Sequence, residues 1–306
     1  MRIETFGKNL ILFAKALLSN QIARFAPKLY VDLTRQTGRG AEEEESSKTA
    51  DYFIGCFRDY QSKIGLRDEE IKKYLQGKII LEYGPGDILG VALLMFAYGA
   101  KTVHCVDRFP LSSFSNKNVE IYMHLLNSLD SAERERASTA FNEKGNPRSG
   151  FNPEAITYLV TPNGLSGSHK KYDLIISCAV LEHVNCLEGT MNDIRQSLKD
   201  DGISIHKVDL RSHGLDRYTD FDFLTWSTLK YNLMYSHKGY PNRWRVNKYR
   251  ELAQLSKITV KNLSPTGRLG PEKIDAIYPK LAKEFRQISH EELAWLGFWM
   301  ILERTR

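Results

Sequence analysis

Apolar residues recur at helical intervals over residues 3 to 30. Ile3, Phe6, Leu10, Phe13, Ala14, Leu17, Ile22, Phe25 and Leu29 form the recurring set, while Lys8, Lys15, Arg24 and Lys28 fall on other faces. A period near 3.6 predicts an amphipathic helical arm. Such a stripe most often meets its own protein, so the arm is expected to pack on the main domain and roof a site. Contact with an anionic membrane surface through residues 1–36 is the less favoured use. The period then lapses in TGRGAEEEESSKTA, residues 37 to 50, whose glycine, glutamate and serine predict a solvated linker. Arm and linker are assigned to residues 1–48.

From residue 79 the pattern changes to short apolar runs alternating with helical stretches. Strands are predicted at Ile79 to Tyr83, Thr102 to Val106, Ile156 to Val160, Tyr172 to Ser177, Ile203 to Val208 and 258 to 263, with a helix from Gly90 to Tyr98. Another helix carries Leu187, Met191, Ile194 and Leu198 on one face, and DDG at 200 to 202 is read as its stop. Alternation of this kind predicts an α/β fold, a parallel sheet covered by helices on both faces, with ligands at the carboxyl ends of its strands. Residues 110 to 155 exceed a minimal crossover and are expected to add helices. Residues 211–250 hold Tyr218, Phe221, Phe223, Trp226, Tyr231, Tyr235, Tyr240 and Trp244, and predict an inserted helical cap. Ser289 is expected to start a helix, and Trp295 to Ile301 to form a final strand.

Composition narrows this picture without redirecting it. The 306 residues are 42% hydrophobic, enough for a large core. A net charge of +6, spread along the chain, is too mild to imply a nucleic-acid partner. Cys56, Cys105, Cys178 and Cys186 have no framework spacing and read as reduced thiols of a cytoplasmic protein. Lys15 interrupts the longest apolar stretch of the arm, so no membrane span is expected, and no small-residue cleavage site suggests a signal peptide.

The candidate chemistry begins at IILEYGPGDILG, residues 79 to 90. Glycines after a strand let the backbone turn tightly and approach a ligand closely, and Gly84 and Gly86 do so around Pro85. A pyrophosphate fingerprint needs its third glycine three residues after the second, whereas the next here is Gly90. Glu82 would repel a pyrophosphate but suits a ligand with cationic groups. In VHCVDRF, Asp107 ends the second strand, where an acid can accept two hydrogen bonds from a ribose diol.

Together LEYGPGDILG, VDRF, YDLIISCAVLEHV and LKDDGISIHKVDL resemble the class I S-adenosylmethionine-dependent methyltransferases, over roughly residues 75 to 210. The resemblance implies a Rossmann-like, doubly wound, seven-stranded, mostly parallel sheet with an antiparallel last strand. It also implies S-adenosylmethionine as cofactor, with Glu82, Tyr83, Gly84, Pro85 and Gly86 lining its methionine and ribose part. Asp107 would hold the ribose hydroxyls, and Arg108 and Phe109 would flank the adenine. Asn163 would reach the adenine amine, and Ser177, Cys178 and Ala179 would close the pocket beneath the sulfonium.

A methyl acceptor is read as a hydroxyl of a small molecule or glycan, which needs in-line placement and a base. His183, in the LEHV loop, and His206, Asp209 and His213, where the fifth strand runs out, are the catalytic candidates. The second group has residue types that ligate metals but no recognised ligand spacing, so no metal is expected. Asn242, Arg243 and Arg245 in PNRWR are the substrate-binding candidates, since amide and guanidinium groups beside aromatic planes suit a sugar or an anion. A homodimer is left open as a further partner. The alternatives are an N- or C-methyltransferase on a small molecule, an inactive nucleotide-binding module of this fold, and, disfavoured by the glycine spacing, an NAD-linked oxidoreductase.

Overall fold

The computed structural model describes residues 2–34, 44–216 and 219–305, with the side chains of residues 2–10, 12 and 27 outside that description. The side chains of Ile3, Phe6 and Leu10, residues 37–43 of the linker, and Tyr218 therefore lie outside the described residues.

Its strands are β1 (Ile79–Tyr83), β2 (Thr102–Asp107), β3 (Phe141–Glu143), β4 (Asn146–Phe151), β5 (Ile156–Val160), β6 (Tyr172–Cys178), β7 (Leu198–Asp209), β8 (Ile258–Arg268) and β9 (Trp295–Arg304). All except the β3–β4 hairpin join one seven-stranded sheet in the order β5-β2-β1-β6-β7-β9-β8. The pairs from β5 through β7 are parallel, and β9 is antiparallel to both β7 and β8. This is the expected Rossmann-like, doubly wound sheet with its antiparallel last strand. Strand order reverses between β1 and β6, which opens a crevice at their carboxyl ends.

Side chains alternate across each strand, and that alternation divides the core. Ile80, Val103, Cys105, Leu174 and Ile176 point toward helices Ser46–Ile64, Gly90–Ala97 and Asn116–Asn127. Leu81, Tyr83, Val106, Tyr172 and Ile175 point toward helices Leu187–Ser197 and Val246–Leu255. Each such side chain, fully removed from water, contributes about 1.5–3 kcal/mol of transfer free energy.

Several expectations are corrected. Helix Ser46–Ile64 begins inside the predicted linker, because Ala50, Phe53 and Phe57 already face the core. DDG at 200 to 202 does not end a helix: Leu198 already pairs with Tyr172 as the first residue of β7, and the register shifts before Ile203 pairs with Leu174. Residues 110 to 155 supply two helices, as expected, and also the β3–β4 hairpin. The cap shares its core with a second, unforeseen segment. Phe223, Leu224 and Tyr231 pack with Ile274, Leu281 and Phe285 from the connection between β8 and β9.

The arm is helical, as predicted, over Arg2–Phe25 and Pro27–Thr34. It rests on the cap helix Thr228–Tyr235. Asn20 Nδ2 donates to the Leu233 carbonyl at 2.9 Å and Asn20 Oδ1 accepts from His237 N at 2.9 Å. Lys238 Nζ donates to the Ala16 carbonyl at 3.2 Å and to Ser19 Oγ at 3.0 Å. The expectation that its large apolar side chains are buried fails for Phe25, which is 75% exposed, while Phe13 is half-buried. The arm meets the cap through Ala16, Ser19, Asn20 and Ala23, small or polar residues that let the two helices approach.

Candidate active site

A cavity of about 570 Å³ occupies the crevice beyond β1, β2 and β6, within the size range of small-molecule sites. Its walls include Tyr83, Gly84 and Gly86 after β1, Asp107, Arg108 and Phe109 after β2, Asn163 after β5, and Ala179 and His183 after β6. Gly84 has φ +59, and a Cβ there would fall 2.6 Å from Val180, so only glycine lets the turn pass under the β6 loop. Gly86 faces open space, which leaves the loop backbone bare toward the cavity. Asp107 Oδ1 accepts from the backbone N–H of Arg108 at 2.6 Å and of Phe109 at 3.2 Å, which fixes the carboxylate. Burial nevertheless raises its pKa. A bare glycine turn opposite an oriented, desolvated acid fits a ligand with a ribose diol and a cationic end.

Glu82 sits behind the glycine turn and not on the cavity wall. It accepts a weak 3.8 Å bond from the Cys105 thiol, and burial holds its carboxyl up at about 8. Pro85 is likewise absent from the wall. Tyr83 is buried, and its hydroxyl bonds to Asp193, whose carboxylate also accepts from Ser166 N at 2.7 Å and Gly167 N at 2.9 Å. Asp193, on the helix Leu187–Ser197, thereby holds both Tyr83 and the loop containing Asn163 to that helix.

Strand alternation separates the three residues expected beneath the sulfonium. Ser177 is buried with its Oγ 2.7 Å from His206 Nδ1, and Cys178 turns to the opposite face, 3.7 Å from Tyr52 Oη. Only Ala179, at φ +55, faces the cavity.

The histidines separate in the same way. His206 is fully buried, its second ring nitrogen meets Ser204 Oγ, and burial lowers its pKa to about 3. It is a neutral core residue, and the expectation of a base there is corrected. His183 lines the cavity, with its ring centroid 4.7 Å from that of His213. His213 Nε2 lies 3.7 Å from Asp209 Oδ2, and Asp209 is anchored by Arg211. Glu182 Oε1 accepts from Asp209 N at 3.1 Å. Glu182 Oε2 and His183 Nδ1 have no hydrogen-bond partner among the described residues. Burial raises the Glu182 pKa well above the carboxylate range; burial, then the His213 charge, lowers His183 to about 4. Ligating atoms of Glu182, His183 and His213 lie within 4.8 Å of one another, a grouping that could also take a divalent cation.

A second cavity of about 540 Å³ adjoins the first, sharing Val184 and Asn185 on its wall. Asn242, Arg243 and Arg245 border it, but each already donates to backbone carbonyls of the protein. Asn242 Nδ2 donates to the Leu181 carbonyl at 2.8 Å, and Asn242 N to the Glu182 carbonyl at 2.6 Å. Arg243 donates to the Trp226 carbonyl at 2.6 Å and stacks over Tyr231. Arg245 is buried, and donates to the Leu210 carbonyl at 2.7 Å and the Leu293 carbonyl at 3.0 Å. Both guanidiniums serve carbonyls, and a substrate anion would have to displace them, which corrects their expected role as anion receivers. The sequence reading missed Lys238 and Gly239, which bring the cap to the first cavity. Their signal was the single string HKGY beside PNRWR, an exposed-looking run with no periodicity.

Residues 58–254 match a family profile described as a methyltransferase domain. The chain belongs to this methyltransferase family. It is an enzyme that uses S-adenosylmethionine as its cofactor, as the resemblance implied. No curated protein matches the chain. Among solved structures it is similar to a protein of Galdieria sulphuraria provisionally named a sarcosine dimethylglycine methyltransferase (14% identity, 91% of this chain and 97% of that one, TM-score 0.48). It is also similar to an S-adenosylmethionine-dependent methyltransferase of Mesorhizobium loti (14% identity, 75% of this chain and 92% of that one, TM-score 0.42). Among the described residues no helix is long and apolar enough to cross a membrane.

Proposed function

We propose that the enzyme methylates a hydroxyl of a small molecule or glycan held under the cap, in a single catalytic unit over residues 49–306 acting in the cytoplasm. The observation that carries this reading is the placement of His183. It stands on the wall of the cofactor cavity, in the loop that leads through Val184 and Asn185 to the aromatic second cavity. Tyr231, Tyr235, Tyr240 and Trp244 offer that second cavity ring faces suited to an acceptor such as a sugar.

The bound cofactor would supply an electrophilic methyl carbon on a positive sulfur. In this reading Asp107 would accept hydrogen bonds from the ribose hydroxyls, Arg108 and Phe109 would flank the adenine, and the Gly84–Gly86 backbone would lie against the methionine part. His183, whose Nδ1 has no hydrogen-bond partner among the described residues, would take up the proton that the acceptor's hydroxyl gives up on methylation. His213, set by Asp209, positions the His183 ring. A neutral amine acceptor would need no such base, which is where the N-methyl alternative parts from this one.

Calorimetry with S-adenosylhomocysteine and NAD tests the cofactor assignment of these residues. The demethylated cofactor is expected to bind and NAD not to. Asp107→Ala should weaken binding by about 1–3 kcal/mol, because hydroxyls lose a charged acceptor. Unchanged affinity in that variant would remove Asp107 from the site.

A further inference from the structure

The arm helix has two unlike faces, and only one is covered. Ala16, Ser19, Asn20 and Ala23 form the side held by the cap. At 3.6 residues per turn, Ile11, Leu18 and Phe25, each seven residues apart, fall on the opposite side. They are 58%, 66% and 75% exposed. Leu29 and Leu33 are exposed along helix Pro27–Thr34, and Leu229 and Leu233 are exposed on the cap helix that the arm rests on. Of the eleven large hydrophobic residues exposed among the described residues, these seven belong to the arm and its supporting helix. Concentration of this kind marks an interaction surface, because scattered single exposures are what an ordinary surface shows.

Charge selects the partner. Lys15, Arg24, Lys28 and Lys230 are exposed along the same two elements, whereas Asp32 is the only acid in residues 11–34 and 228–235. We propose that this face docks the enzyme on an anionic lipid bilayer, with the arm lying in the plane of the interface. Apolar side chains enter the headgroup and acyl boundary while flanking lysines and arginine meet lipid charge. A second copy of the chain is a poorer partner, since a two-fold contact sets this basic patch against itself. The covered side of the arm bonds to Lys238, which lines the cofactor cavity, so docking places the cap between the bilayer and the active site. This inference does not depend on which acceptor is methylated.

Sedimentation of the full-length protein with vesicles tests it. Vesicles of phosphatidylcholine containing about one-third phosphatidylglycerol should carry the protein down at low salt. Vesicles of phosphatidylcholine alone should carry about tenfold less, and half-molar salt should weaken the anionic binding to a similar extent. The triple variant Ile11→Ser, Leu18→Ser, Phe25→Ser should lose binding about tenfold or more while keeping its melting temperature and its affinity for S-adenosylhomocysteine. The double variant Lys15→Ser, Lys28→Ser should chiefly lose the salt-sensitive part. Absence of anionic-vesicle binding by the parent, or binding that survives the triple variant, overturns the proposal. So does a concentration-dependent dimer that the triple variant dissolves in a protein that ignores vesicles, a result that would assign the face to self-association.

Discussion

His183 is neutral at physiological pH because burial disfavours its charged form and the His213 ring beside it adds a like charge; together they hold its pKa near 4. The unprotonated ring is the form that can take a proton, so the base is available above about pH 4 and is lost as pH falls through that value. An unperturbed histidine would instead switch off between about pH 6 and 7. The methylation rate is therefore expected to stay flat from about pH 8 to 6 and to decline only below about 5. His183→Gln should lower kcat by a factor on the order of 10²–10⁴ without that decline, and exhaustive dialysis against a chelator should leave the profile unchanged. A midpoint at 6 to 7, or a chelator-sensitive rate, would assign the chemistry to another group or to a bound cation. At this scale the sequence was partly legible. Glycine spacing and a strand-terminal acid mark ligand contacts by position alone, so Gly84, Gly86 and Asp107 could be read. Which face Ser177 and Cys178 present depends on the phase of β6 against its neighbours, and His206 required knowing that Ser177 and Ser204 flank it.

Helix Gly90–Ala97 is buried at every position, because the sheet lies on one side and helix Ser46–Ile64 on the other. Its first residue explains the late third glycine. A Cβ at Gly90 would lie 2.5 Å from the Phe53 ring, so glycine permits helix-to-helix approach there and has no part in cradling a phosphate. Gly90→Ala is expected to destabilise the fold by about 1–3 kcal/mol as an overpacked core site, despite alanine's better helix propensity. Denaturant titration of Gly90→Ala alone and combined with Phe53→Leu should show partial recovery in the double variant, the mark of a direct clash. Equal and additive losses would point to some other cause. The strands of the seven-stranded sheet were legible because each holds a short apolar run bounded by turn residues, whereas the polar β3–β4 hairpin was not. The start of helix Ser46–Ile64 was not, because its first turn is polar and its Phe53 contact is non-local. The helix Leu187–Ser197 passes directly into β7 at Leu198, where apolar spacing fits either element.

The cap, with what packs on it, is a roof of three separated stretches of chain: the arm, none of whose described residues lines either cavity, the cap helix Thr228–Tyr235, and the segment between β8 and β9 that shares a core with the cap. Neither of the last two could be joined from sequence, because their contacts span tens of residues without a repeating pattern. The arm's attachment is concentrated in Asn20, whose amide serves the last carbonyls of the cap helix, Asn232 and Leu233, and whose carbonyl receives His237 N. The Leu233 carbonyl is a group the helix end leaves unpaired, and with His237 N it ties to Asn20 the stretch that leads into Lys238 and Gly239. Asn20→Ala should remove the partner of the Leu233 carbonyl and of His237 N–H at a cost of about 0.5–1.5 kcal/mol, confined to the roof. Hydrogen exchange should then quicken in residues 228–240 and in the arm while β1, β2 and β6 keep their protection, since local opening draws on the least stable contacts first. KM for the cofactor should rise with the loosened Lys238 and Gly239 wall, and the global melting temperature should barely move. Exchange that quickens throughout the sheet would show that the arm supports the whole fold, and exchange unchanged everywhere would show that Asn20 does not hold the roof.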